Sequence, residues 1–336
     1  MPLGNRPLIT FFAKNLLYGM VGMKMKTVKA VQPYIYEGQI NFKHKPYDAW
    51  EALGLPVAES CYPWRWLHGF VFRYAFPRLW RSKREARLRF VQPWSLSFDT
   101  WPDYIFYEII PFFWDVWPEN FKKTCEWLSR YDVKTAVFTS SQVVEMIRER
   151  FPEMNVIWCP EGIDVDSYKE GETLSQRTID FLHYGREIDD IVCYDFSDLT
   201  YVSGKQSGKA VLTQEQLYDL LSDAKVVATY PKSWTNPELA GNIETLTQRY
   251  WECMLSRCIM IGHAPKELVE LIGYNPVIEL DKEKPQQQLE DVLAHIVDYQ
   301  GLVDKNRGVA LKYGDWKNIV RNVFVSKKNI NVCLSK

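Results

Sequence analysis

NIETLTQRYWECMLSRCIMIG, residues 242–262, holds a loop, a helix and a short apolar strand in one run. The helix is predicted over 247–256 and the strand over 258–262. Glu244 falls in the loop and Glu252 on the helix, with seven residues between them, and Thr245 and Gln248 have capping-box spacing. The free backbone N–H groups at such a helix start, together with its dipole, favour an anion such as a diphosphate. About one turn further in, Glu252 is placed to accept hydrogen bonds from ribose hydroxyls. Two solvated glutamates flanking a capped helix would read the same way, so the spacing alone does not decide the chemistry.

The alternation extends in both directions. Upstream, a strand at 133–139 (VKTAVFT), a helix at 142–150 capped by Ser140 or Ser141, and a strand at 155–159 form a βαβ pattern. Pro160, Gly162 and the polar stretch 164–177 interrupt it and predict an interdomain linker. Strands then follow at 178–185, 226–230, 258–262 and 277–280, and helices at 214–224, 247–256, 266–272 and 285–300. Residues 313–325 read as helical and 327–336 as a frayed tail. Such alternation implies parallel sheets covered on both faces, with ligands at the carboxyl ends of the strands. Arg186, in Tyr184-Gly185-Arg186, and Lys232, in Tyr230-Pro231-Lys232-Ser233, both follow strands and suit phosphate.

Glu-x7-Glu followed by a helix, a tight turn and an apolar strand resembles the donor-site signature of GT-B glycosyltransferases, most nearly the group-1 type of bacterial polysaccharide and glycan biosynthesis. Tyr184-Gly185-Arg186 is similar to that family's Gly-Arg after a strand. Pro160-Glu161-Gly162-Ile163-Asp164 is similar to the turn that ends its first domain. The resemblance covers residues 131–325. It implies an α/β GT-B fold, two Rossmann-like domains with parallel sheets facing a central cleft. The acceptor domain would span 1–165 and the nucleotide-sugar domain 166–315, with 316–336 a C-terminal helix and tail able to pack back on the first domain. It also implies transfer of a sugar from a nucleotide diphosphate sugar to a glycan or lipid-linked acceptor and leans toward retention; because helix N–H groups and Arg can hold both phosphates, no metal and no other cofactor are expected. Glu244 would lie near the sugar, Glu252 at the ribose, and Arg186, Lys232, Thr245, Thr247 and Arg249 around the nucleotide. Glu187, Asp189 and Asp190 stand where a Lys is usual, Arg257 where Gly is, and Ile259 where Pro is frequent. Lys205, Lys209 or Arg249 is therefore a candidate replacement cation.

With 336 residues, 46% apolar and 25% charged, the chain is long enough for two folded domains. A net charge of -1 gives no broad field for nucleic acid. Seven scattered cysteines without zinc spacing read as free thiols in a reducing compartment, so a cytoplasmic protein with no metal site is expected. Residues 8–23 are too interrupted to span a bilayer, but Leu8, Phe12, Leu16 and Met20 recur at amphipathic helical spacing. Between 62 and 90, eight Arg and Lys residues interleave with Trp and Phe against the single acid Glu85. That mixture suits the inner face of a membrane or a lipid-linked diphosphate, although a half-buried helix with a solvated basic face carries the same residues.

A catalytic base is sought in the aromatic stretch 94–118 and its neighbour Glu119, where burial can raise a carboxylate toward neutrality. Asp99, Asp103, Glu108, Asp115 and Glu119 qualify by position. Asp115, between Trp114 and Trp117, is the first choice, with His44 and His68 as alternatives. GKQSGKA, residues 204–210, is spaced wrongly for a phosphate loop and reads as a turn. Two rivals stand beside the transferase reading: a nucleotide-sugar epimerase of the same fold, and a non-catalytic sugar- or lipid-binding protein on a degenerate fold.

Overall fold

The computed structural model describes residues 26–33, 43–59, 82, 84–186, 191–206, 209–210 and 212–326. The predicted helix at 8–23, most of the basic stretch 62–90, His68 and the tail from 327 lie outside the described residues.

Six strands form the first sheet: β1 (Thr27–Val31), β2 (Val57–Ala58), β3 (Glu85–Val91), β4 (Glu108–Phe113), β5 (Thr135–Phe138) and β6 (Asn155–Trp158). All are parallel, in the order β2-β1-β3-β4-β5-β6. The continuous apolar run of β4 serves both faces, as a doubly covered strand must. Ile109 and Phe113 pack into one cluster with helices α2 (Pro118–Arg130) and α3 (Ser141–Arg150), through Leu128, Val143 and Ile147. Ile110 and Phe112 pack into the other, against Trp50 of α1 (His44–Ala52).

The second sheet gathers β7 (Ile179–His183), β8 (Tyr201–Ser203), β11 (Ala224–Thr229), β12 (Ile259–Gly262) and β13 (Ile278–Glu279), again all parallel, in the order β13-β12-β11-β7-β8. A small antiparallel ribbon, β9 (Lys205–Gln206) with β10 (Lys209–Ala210), stands apart, so the segment that mimics a phosphate loop carries a hairpin. One face of the sheet is covered by α4 (Gln214–Asp223) and α5 (Gln248–Leu255), the other by α7 (Pro285–Ala294), and α6 (Lys266–Ile272) also packs here. α8 (Gln300–Tyr313) contributes to both clusters through Val303 and Ala310.

Both sheets reverse direction once, between β1 and β3 and between β7 and β11. At such a switch point the flanking loops leave on opposite faces and open a crevice at the carboxyl ends of the strands.

Three expectations are corrected. The helix predicted at 285–300 ends at Ala294, passes through a 3-10 turn at Ile296–Tyr299 and gives way to α8, whose two glycines and narrow buried stripe had concealed it. The predicted linker 164–177 instead folds onto the second sheet in two 3-10 turns. Leu174 enters its core there, and buried Arg177 donates to the carbonyls of Glu170, Glu172 and Ala224. Finally, Thr245 and Gln248 form no capping box: α5 starts at Gln248, with Thr247 at the N-cap making no side-chain bond.

The chain crosses between the sheets twice, and the crossings touch. Ile163 N donates to Gly314 O at 2.8 Å and Trp316 N to Ile163 O at 3.2 Å, a parallel bridge of Ile163 with Asp315. Helix α9 (Trp316–Val320) and the turn after it then lie on the first sheet, where Trp316, Ile319, Val320 and Phe324 join Trp50, Phe112 and Trp114. Gly162 permits this approach, since a Cβ there would run into Trp316 and Ile319. No helix among the described residues is long and apolar enough to cross a membrane.

Candidate active site

Gln92 follows β3 and Asp115 follows β4, at the carboxyl ends beside the first switch point. Arg186 follows β7 and Lys232 follows β11, on either side of the second. These four meet across the cleft. The Gln92 side chain donates to the Asp115 carboxylate, and the charges of Lys232 and Arg186 act on it. Asp115 adopts a positive φ of 54°, a conformation that a short polar residue tolerates best. Its backbone carbonyl accepts from Asn120 Nδ2 at 3.1 Å. Burial raises its pKa, and the two cations and Gln92 oppose the shift.

The cations are themselves partly desolvated. Burial lowers the pKa of Arg186, as does neighbouring Arg249, while Asp115, Tyr250 and Glu161 counter the effect. Lys232 is lowered by burial, with Asp115 opposing; its Nζ lies 4.3 Å over the Trp117 ring of the other domain. Arg249 stacks on Tyr184 at 4.8 Å and lies against Gly185, whose φ of +85° and missing Cβ leave room for the guanidinium.

The two sequence-predicted glutamates have separate surroundings. Glu244 sits at the interdomain face, where its backbone N–H donates to Gln142 Oε1 at 2.6 Å. Its carboxylate is 3.2 Å from His263 Nε2, and His263 Nδ1 is 2.8 Å from Glu279. Trp234 stacks on the His263 ring at 4.8 Å. Glu252 is only 9% exposed, and its two oxygens accept from the hydroxyls of Tyr168 (2.9 Å) and Tyr184 (2.8 Å). Any ribose hydroxyl must therefore use lone pairs the tyrosines leave open. Thr245 lines a small recess between the domains with Asp115, Thr139 and Ser140, and Thr247 stands at the N-cap position of α5.

The other acids of the aromatic stretch are occupied elsewhere. Asp99 pairs with buried Lys43 at 2.7 Å, Asp103 with buried Arg89 at 2.6 Å, and Glu108 with Lys26. Glu119 is exposed on α2. His44 is partly buried at the start of α1, its Nε2 without a hydrogen-bond partner, and burial lowers its pKa. Of these acids, Asp115 is the one on which both Lys232 and Arg186 act, while Glu119 also acts on Lys232. Of the candidate replacement cations, Lys205 and Lys209 belong to the hairpin, and Arg249 neighbours Arg186 in the cleft.

Two carboxyls that sequence reasoning left without a role cap helices across the domain boundary. Glu267 of α6 accepts from Ser141 N, the first amide of α3, at 2.7 Å and also from Leu246 N. Gln142 strengthens the same junction by donating to Asn242 O at 3.0 Å. Conversely, Glu161, at the crossing out of the first domain, accepts from Gln248 N, the first amide of α5, and from Trp114 Nε1 at 3.2 Å. Burial raises both acids, Glu161 to about 8 and Glu267 to about 7. Among the described residues no cluster of His, Cys, Asp and Glu is arranged to hold a metal ion.

No protein-family model matches the sequence, and no curated protein is found to be similar to it. Solved structures do match. Anabaena HepE in complex with UDP aligns at a TM-score of 0.56 and 11% identity, over 91% of this chain and 100% of that one. Its complex with UDP-glucose gives 0.54 at 10% identity, over 90% and 100%. TarM gives 0.48 at 12% identity over 71% of this chain, which spans 55% of TarM. What the likeness to HepE establishes is the fold: two parallel-sheet α/β domains in the GT-B arrangement.

Proposed function

We propose that the chain is a glycosyltransferase that moves a sugar from a nucleotide diphosphate donor to a glycan or lipid-linked acceptor. The observation that carries this reading is the meeting of Asp115, from one sheet, with Arg186 and Lys232, at the switch point of the other. The structural likeness to a protein crystallised with UDP-glucose agrees with it.

In this reading the diphosphate lies among Arg186, Lys232 and Arg249 near the start of α5, where fixed cations and backbone N–H groups stabilise the charge that develops as the bond from C1 to the phosphate oxygen breaks. Three cationic side chains can supply the positive charge a metal ion would otherwise bring. Glu244, oriented by His263, addresses the sugar hydroxyls, and Glu252 the ribose. Asp115 takes the proton of the acceptor hydroxyl as its oxygen bonds to C1. Because Asp115 lies beside the diphosphate's cations, attack and departure share one face of the sugar, which favours retention. Residues 62–90 would hold an anionic or lipid-linked acceptor at a membrane surface.

A thermal-shift screen of UDP-, GDP-, dTDP- and CMP-sugars tests the donor site. Stabilisation by one nucleotide class, lost on replacing Arg186 and Lys232 together by Ala, is expected. If no nucleotide moves the wild-type melting curve, the donor-site reading is wrong.

A further inference from the structure

Glu161 is held from three sides. Its carboxyl accepts from Trp114 Nε1 and from the first amide of α5, and its backbone carbonyl from Trp251 Nε1 at 2.7 Å. The charges facing it are Asp115 beyond β4, Glu252 on α5 and Arg186 beyond β7. Lys232 and Arg249 complete the group through their contacts with Asp115 and Arg186. Ionisation of Glu161 adds one negative charge to those that already face Arg186 and Lys232, and it does so at the amide that heads α5.

We infer that the proton on Glu161 decides how strongly the cleft takes a nucleoside diphosphate. The inference rests on the donor-site reading above. A neutral Glu161 gives up little by sharing the head of α5 with a phosphate. An ionised one competes with it for the same N–H group and repels it in a partly desolvated site. Linkage then makes the effect reciprocal: a bound diphosphate must raise the proton affinity of Glu161, so binding takes up a proton. The group is poised for this, since burial and the neighbouring Asp115 raise Glu161 to about 8.

Isothermal titration of the full chain with UDP, and with GDP alongside, between pH 7 and 9 tests this in two buffers of different ionisation enthalpy. The terminal phosphate is already ionised there, its second pKa being about 6. The wild type is expected to take up protons on binding, and its Kd to rise about tenfold from pH 7 to 9, as the protonated fraction falls. Glu161→Gln, which fixes the neutral state, should bind as the wild type does at pH 7, with neither proton uptake nor the rise. Any loss of charge on Lys232 would appear equally in both proteins and so cancels in the comparison. Equal proton uptake and equal slopes in wild type and variant would overturn the inference while leaving the donor site intact. If Glu161→Gln fails to fold, Glu161→Asp should move the midpoint of the Kd profile, and an unmoved midpoint counts against the idea. Absence of binding by the wild type at every pH would instead overturn the donor-site reading, and the inference with it.

Discussion

Asp115 is where sequence, backbone and chemistry coincide. Its left-handed conformation is one that Asn also tolerates, so Asp115→Asn should keep the fold and remove the base. We expect sugar transfer to fall on the order of 10²- to 10⁴-fold with a nearly unchanged melting temperature, measured in a donor-consumption assay. Glu252 should behave in the opposite way. Replacing it with Ala removes the carboxylate that accepts from two buried tyrosine hydroxyls, at about 1–3 kcal/mol each, so denaturant unfolding should register the change whatever happens to binding. Arg186 and Lys232 were singled out in the sequence because each follows a recognisable strand, and strand ends are where such folds place chemistry; Asp115 was singled out only by its place between Trp114 and Trp117, and the strand before it was not read. Glu161, Glu267 and His263 carried no such signal. Their partners lie far along the chain, 47 residues away for Trp114 and 126 for Ser141, and no local pattern encodes a contact of that kind.

At the scale of elements, two glycines at strand ends should separate stability from binding. A Cβ on Gly262, at φ +151°, would overlap the carbonyl oxygen of Thr229, which the sheet holds fixed; Gly262→Ala should cost upwards of about 2 kcal/mol in denaturant titration. A Cβ on Gly185 would meet the Arg249 guanidinium instead of backbone, so Gly185→Ala, besides the strain of alanine at φ +85°, should displace that cation and weaken nucleotide binding. The junction of α3 with α6 gives a pH signature. Glu267 has its pKa raised in the folded state, so between about pH 4.5 and 7 the native protein binds a proton that the unfolded chain has lost. Stability from this group is therefore full at the acid end and declines as pH rises to about 7. Thermal melts from pH 5 to 8 should show the decline in the wild type and a flatter profile in Glu267→Gln. Most strands and helices from residue 133 on were legible from their alternation. β3 was not, because Arg87 and Arg89 give EARLRFV the look of a surface segment. The fold hides both cations, Arg89 against Asp103 and Arg87 under Tyr107 at 4.0 Å.

For the whole molecule, the decisive contact is that of α9 and the turn after it with the first sheet. Trp316, Ile319, Val320 and Phe324 together represent roughly 6–12 kcal/mol of apolar burial as an upper estimate. A chain ending at residue 313 should therefore expose Trp114 and Phe112, bind a hydrophobic dye and melt earlier in the first domain than in the second. The return path also has a temporal consequence. On a ribosome the first sheet is synthesised early, yet one of its faces has α1 but lacks α9 while some 150 residues of the second domain are made. The rest of its covering arrives with the segment from residue 316 onward. Maturation of the first domain thus waits on the synthesis of residues 316–324 and not on that of its own strands. Slowing synthesis of the middle of the chain would lengthen the interval in which that face is available to chaperones and to aggregation.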